Sequence, residues 1–185
     1  MIDDKEICIF KTSVSDFLKT LDIEKIINFI KNTDTGENKQ VFLNSSIPNK
    51  DIRDIVETIN KFVENICKTQ YAQLVESEFN LTTWIREPEL IKWTSGTSLP
   101  EHIDGQEKIK KPDTTLGALI YLNDEYEGGE LYFPEYDIMI KPKAGDLVIF
   151  PCHFLHEVKK VLNGERYTLP LFYSFRCTEW MDKNV

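Results

Sequence analysis

Residues 114–150 read T-T-L-G-A-L-I-Y-L-N-D-E-Y-E-G-G-E-L-Y-F-P-E-Y-D-I-M-I-K-P-K-A-G-D-L-V-I-F. Four short runs rich in β-branched and aromatic residues lie within it: Thr114–Leu122, Glu130–Phe133, Asp137–Ile140 and Asp146–Phe150. Gly, Pro, Asn and Asp separate them, which is the punctuation of short strands. Gly128-Gly129 and Ala144-Gly145-Asp146 are predicted to be hairpin turns. The same texture extends outward, to Ala72–Phe79, Leu90–Thr94 and Ser98–Ile103 on one side and to His156–Val161 and Tyr167–Phe175 on the other. Many short strands at close spacing predict an antiparallel sandwich or jelly roll.

Before residue 70 the period changes to that of helices. Val14, Phe17, Leu18 and Leu21, then Ile26, Ile27 and Ile30, recur at three-and-four spacings, with Ser13 or Ser15 as a candidate cap. A loop at Asp34–Asn38 and a short strand at Val41–Leu43 follow. Pro48-Asn49 then opens a second helix with the apolar stripe Ile52, Ile55, Val56, Ile59, Phe62, Val63 and Ile66. The expected fold class is α+β: a double-stranded β-helix (jelly roll) with N-terminal helices packed on one face. Without repeats or low-complexity segments, residues 1–185 are expected to form a single domain, with helical support over about 1–70 and a β-helix core over about 71–180.

The chain carries 22 basic against 31 acidic residues, a net charge of −9. This disfavours a nucleic acid as partner, which would call for a basic face. The one lysine-rich run, Lys108, Lys110 and Lys111, reads as a solvated loop. No basic start followed by an apolar stretch opens the sequence, and no run is long enough to span a membrane. Cys8, Cys67, Cys152 and Cys177 lack CxxC spacing and read as free thiols in a reducing compartment, so a cytoplasmic protein is expected.

The chemistry is concentrated in L-P-E-H-I-D-G (99–105) and in F-L-H-E-V-K-K-V-L-N-G-E-R-Y (154–167). On a strand, His102 and Asp104 would point to one face and could meet one metal ion. His156 lies far enough along to return across the sheet. Two imidazoles and one carboxylate leave coordination positions open, the pattern of a non-haem iron(II) site. Cys152, His153 and His156, with Cys177, spell an alternative zinc site, but that reading leaves the His-x-Asp pair and Arg166 unexplained. If Asn163-Gly164 turns a hairpin, Arg166 starts the strand beside that of His156 and points into the same barrel. There its guanidinium suits the far carboxylate of a dicarboxylate co-substrate.

These fragments, in this order, resemble the 2-oxoglutarate/Fe(II)-dependent dioxygenases of the prolyl 4-hydroxylase-like branch. The landmarks are W-T-S-G-T-S-L-P-E-H-I-D, L-G-A-L-I-Y-L-N, E-G-G-E-L-Y-F, K-P-K-A-G-D-L-V-I-F, H-E-V and G-E-R-Y, between about Leu90 and Phe175. The resemblance implies Fe(II) held by His102, Asp104 and His156, and 2-oxoglutarate held by Arg166 with help from Tyr121 and Thr168. Leu131, Phe133, Phe172 and Leu119 would line the cavity. It further implies O2 as oxidant, ascorbate as reductant, and release of succinate and CO2 as a C–H bond is hydroxylated. The branch points to a prolyl residue in a peptide or protein, with the polar segment Gly105–Asp113 as a lid over it. The same centre acting on a free amino acid, small metabolite or nucleobase is a second reading. A non-catalytic jelly-roll binding module is a third. One departure stands out: Trp93 occupies a position where relatives often carry tyrosine, and an indole donates one hydrogen bond but accepts none.

Overall fold

The computed structural model describes residues 9–72, 79–83, 87–104 and 116–177, with backbone only at 71–72, 79–83 and 174–177. In chain order the elements are β1 (Phe10–Ser13), α1 (Ser15–Leu18), α2 (Ile23–Asn32), β2 (Lys39–Leu43), a 3-10 turn (Asn44–Ser46), α3 (Lys50–Ala72) and β3 (Phe79–Thr83). Then follow β4 (Glu89–Thr94), β5 (Leu99–His102), β6 (Leu116–Tyr121), β7 (Tyr126–Gly128), β8 (Leu131–Phe133) and β9 (Ile138–Ile140). The last three are β10 (Asp146–Pro151), β11 (His156–Val158) and β12 (Val161–Cys177). The expected strand Ala72–Phe79 falls on the end of α3, the start of β3 and undescribed residues between them. The proposed lid, Gly105–Asp113, and its lysines lie outside the described residues.

The strands form two antiparallel sheets. The larger has the order β1-β10-β6-β12-β4-β2, with β3 and β7 also paired to β12; the smaller runs β5-β11-β8-β9. Facing each other, they make the double-stranded β-helix, and the helices cover the outer face of the larger sheet. Side-chain alternation along each strand decides which face a residue serves. Leu116, Ala118 and Ile120 of β6 pack with Val56, Ile59 and Val63 of α3, while Tyr121 of β6 and Val148 and Phe150 of β10 pack toward the smaller sheet.

Of the α3 stripe, Ile52, Val56, Ile59 and Val63 are each at most 3% exposed, joined by Cys67, while Ile55, Phe62 and Ile66 are partly buried at its margin. Asn49 Oδ1 accepts the Asp51 N–H (2.9 Å), so the Pro48-Asn49 signal does open this helix. The earlier periodic segment is two helices rather than one. Its start is preceded by β1, which pairs Phe10–Ser13 with Asp146–Ile149 of β10. The N-cap of α1 is Val14, not a serine: Ser13 Oγ accepts the Ser15 N–H (3.3 Å) and Ser15 Oγ donates to the Ala144 carbonyl (3.4 Å).

Three expected hairpins are corrected. Gly128-Gly129 joins β7 of the larger sheet to β8 of the smaller, and Lys143–Asp146 joins β9 of the smaller to β10 of the larger. Both are crossovers between sheets, with glycines at φ +74°, +67° and +80°. Asn163-Gly164 does not turn at all. The strand β12 runs through it, bulged against β7 between Val161 and Asn163, and the change of sheet comes earlier, between Val158 and Val161. Arg166 therefore does not lie on the strand beside His156; it faces the cavity from the opposite sheet.

Candidate active site

The smaller sheet sets the two histidines side by side. His102 on β5 is the direct cross-strand partner of His156 on β11, and their ring centroids are 4.2 Å apart. Asp104 lies just beyond β5, so the strand argument for the His-x-Asp pair holds only for His102. What turns the carboxylate inward is a backbone bond, from the Asp104 N–H to the Cys152 carbonyl (2.9 Å). Asp104 Oδ1 is then 3.5 Å from His102 Nε2, and Oδ2 is 3.6 Å from His156 Nε2.

Each imidazole is oriented by its other nitrogen. His102 Nδ1 sits 2.9 Å from the Pro100 carbonyl and His156 Nδ1 2.8 Å from the Phe154 carbonyl. A carbonyl only accepts, so Nδ1 carries the proton and Nε2 is left with a lone pair aimed at Asp104. The ligand atoms of the three residues all fall within 4.8 Å of one another, the one such cluster of His, Cys, Asp and Glu among the described residues. Two neutral nitrogens and one carboxylate on one side of a cavity fit an iron(II) ion with free positions. His153 is exposed with its ring against Phe154 (5.0 Å), and neither it nor Cys152 joins the cluster; the Cys177 side chain lies outside the described residues.

Contact with Asp104 raises the pKa of His102 above its ordinary value, despite partial burial. Burial lowers that of His156, outweighing the pull of Asp104. Behind His156 stand Phe150 (4.7 Å) and Phe133 (5.9 Å). Phe133 thus backs the histidine rather than lining the cavity. Leu119, Leu131 and Phe172 do line it.

The cavity holds about 420 Å³ between the two sheets and reaches from the His/Asp/His cluster to Arg166 and Thr168. Arg166 is wholly buried, and its Nε, Nη1 and Nη2 have no hydrogen-bond partner. Its guanidinium lies 5.0 Å from the Tyr121 ring centre and 5.2 Å from that of Trp93. The hydroxyls of Tyr121 and Tyr126 are also buried and unpartnered. Burial raises both phenols, Tyr126 to about 12, and the nearby Arg166 charge opposes the rise. A buried cation ringed by unused donors is costly unless an anion completes it. A carboxylate is the fitting acceptor, being able to take two parallel N–H bonds from the guanidinium.

Sequence reasoning passed over Tyr126 and read Gly129 only as part of a turn. Tyr126 lay in a stretch between expected strands, and its closeness to Arg166 depends on the β7–β12 pairing. Gly129 lies so close to the arginine that a Cβ there would stand 2.9 Å from Arg166 Cδ.

Fold and cluster together define a class: double-stranded β-helix proteins with an open centre of two histidines and one carboxylate. Residues 89–174 match the 2OG-Fe(II) oxygenase superfamily. That span, a little under half of the chain, carries the His/Asp/His cluster and Arg166. It is 30% identical over 116 residues to a PKHD-type hydroxylase of Sphingopyxis alaskensis, covering 58% of this chain and 53% of the relative. A PKHD-type hydroxylase of Pseudomonas aeruginosa is 36% identical over 87 residues, covering 40% and 37%. The chain thus spans about half or less of the length of these relatives. In fold it is similar to the viral collagen prolyl hydroxylase of Paramecium Bursaria Chlorella virus-1, with TM-score 0.67, 17% identity, and coverage of 92% and 97%. It is likewise similar to a prolyl-4-hydroxylase of Pseudomonas putida, with TM-score 0.61, 18% identity, and coverage of 94% and 95%.

Proposed function

We propose that this protein is a 2-oxoglutarate-dependent dioxygenase that hydroxylates a prolyl residue in a peptide or protein. The observation that carries the reading is Arg166, a fully buried guanidinium with three unpartnered nitrogens in the cavity that also holds His102, Asp104 and His156. In this reading His102, Asp104 and His156 hold Fe(II), and Arg166, aided by Tyr121 and Thr168, holds the far carboxylate of 2-oxoglutarate. When bound, the metal supplies the O2 chemistry that couples decarboxylation to succinate and CO2 with oxidation of a C–H bond.

The chain's own part is orientation and exclusion of water. The Pro100 and Phe154 carbonyls fix the imidazole tautomers, and Leu119, Leu131 and Phe150 keep the surroundings apolar. Support for a prolyl substrate comes from proteins of similar fold that are named as prolyl hydroxylases, among them the viral and Pseudomonas putida proteins. A Trichoplax adhaerens prolyl hydroxylase of similar fold (TM-score 0.66) is described in complex with a hypoxia-inducible-factor peptide.

Incubation with Fe(II), 2-oxoglutarate, ascorbate and a library of proline-containing peptides, read by mass spectrometry, tests the substrate: a +16 peptide is expected. Succinate formed with no modified peptide would turn the reading toward a small-molecule substrate. Asp104→Ala and His156→Ala are expected to reduce succinate to background, and undiminished succinate in either would refute the metal assignment.

A further inference from the structure

We infer that Trp93 is a positioning residue: its indole N–H sets the Thr168 hydroxyl as a donor to the far carboxylate of 2-oxoglutarate, alongside Arg166. The inference rests on the reading of the cavity as a 2-oxoglutarate site and adds to it a relay made by this chain's tryptophan. Trp93 Nε1 donates to Thr168 Oγ1 at 3.1 Å, and both side chains are buried, at 3% and 0% exposure. Indole N–H is a donor only, so the threonine oxygen is the acceptor and its own proton must be donated elsewhere. The bond from Trp93 takes up one lone pair of Thr168 Oγ1 and leaves its proton to be directed into the cavity that Thr168 lines.

The strand register shows where that proton is available. Arg166 pairs with Trp93 across β12 and β4, and Thr168 pairs with Tyr121 across β12 and β6. Two residues apart on one strand, Arg166 and Thr168 present their side chains to the same face, and both line the cavity. The threonine hydroxyl, which accepts from Trp93, thus stands on the cavity face beside the Arg166 nitrogens and near the Tyr121 hydroxyl, which have no hydrogen-bond partner among the described residues.

The indole is itself held in place. Lys39 on β2 and Arg166 on β12 are its cross-strand neighbours on either side, with Lys39 Nζ 4.5 Å and Arg166 Cζ 5.2 Å from the ring centre. A phenol at this position could donate to the threonine or accept from it, leaving the direction of the hydroxyl open. Tryptophan removes that choice.

The test is calorimetric titration of the whole protein loaded with Mn(II), using 2-oxoglutarate and, as control, 2-oxovalerate, the same keto acid without the far carboxylate. Thr168→Val is expected to weaken 2-oxoglutarate about tenfold, as loss of one hydrogen bond to a charged group does. Thr168→Ser, which keeps the hydroxyl, should retain the affinity. Trp93→Phe should weaken binding severalfold, and the double variant should be no weaker than Thr168→Val alone. Affinity for 2-oxovalerate should stay constant throughout. Wild-type affinity in Thr168→Val, equal losses in Thr168→Ser and Thr168→Val, or full additivity of the Trp93 and Thr168 losses would overturn the relay while leaving the 2-oxoglutarate site standing. Failure of the unmodified protein to bind 2-oxoglutarate would overturn both.

Discussion

Along β6, β10 and β12, neighbouring residues face opposite sides of one sheet, and the two sides have been put to opposite uses. Toward the helices stand Leu116, Ala118, Ile120, Leu147, Ile149, Leu169 and Leu171, closed over by Val56, Ile59 and Val63. The phenol of Tyr173 on that side is satisfied, 2.9 Å from Asn60 Oδ1. Toward the smaller sheet stand Gly117, Phe150, Arg166 and Thr168, and there Arg166 is buried with its nitrogens unpaired. Burial on the first side stabilises the fold, whereas burial on the second leaves a charge that a ligand must complete.

Matched substitutions separate these two roles. Ile59→Ala removes a fully buried side chain from α3 and should lower unfolding free energy by about 2–5 kcal/mol. Binding of 2-oxoglutarate per folded molecule should be unchanged, as checked by denaturant melts beside titrations. Arg166→Met should do the reverse. It removes an uncompensated buried charge, so stability without ligand should hold or rise, while 2-oxoglutarate binding weakens by about 3 kcal/mol, or roughly 100-fold. A large loss of stability in Arg166→Met would break the contrast between the faces.

Gly129→Ala should fall between the two. The residue has φ +67°, and a Cβ would stand 2.9 Å from Arg166 Cδ and 3.3 Å from Val161 Cγ2. The substitution should strain the backbone and displace the guanidinium, costing about 1–3 kcal/mol of stability and about tenfold in co-substrate affinity. Gly36→Ala provides the control, with φ +76° and nothing within 4 Å of the new atom. It should carry the backbone cost alone; equal loss of 2-oxoglutarate affinity in both variants would remove Gly129 from the site.

The repeating patterns were legible in the sequence, and the places where the chain changes sheet were not. The α3 stripe, the β2 strand and the runs that became β6, β8, β9 and β10 follow local periodicity. Glycines at 128, 129 and 145 could be read as turns, but a turn within a sheet and a crossover between sheets need the same left-handed residues. The strands β1 (FKTS) and β7 (YEG) each carry a single aromatic among polar or small residues, so no apolar run marks them, and their partners lie far along the chain. At the site, the pairing of His102 with His156 was foreshadowed by residue types and spacing. The hydrogen bond that turns Asp104 inward was not, because the Cys152 carbonyl is a backbone group that no side-chain pattern announces.

Titration in alkali also distinguishes the two faces. On the helix side, burial raises the Cys67 thiol to about 12 and also raises the Tyr173 phenol. The unfolded chain releases the thiol proton near its ordinary value of about 8.5 while the folded chain retains it. From there to about pH 12 the folded state binds more protons, so stability must fall as pH rises. Cys67→Ala removes one such group and should make the fall shallower by up to about 1.4 kcal/mol per pH unit, measured by denaturant melts across that range. On the cavity side the same burial acts on Tyr121 and Tyr126, but the Arg166 charge opposes it. Arg166→Met should therefore push ionisation of those phenols to still higher pH in ultraviolet titration and leave the Cys67-dependent slope untouched. If removing Arg166 leaves the phenols unmoved, the guanidinium does not act on them and the donor cluster is not electrostatically joined.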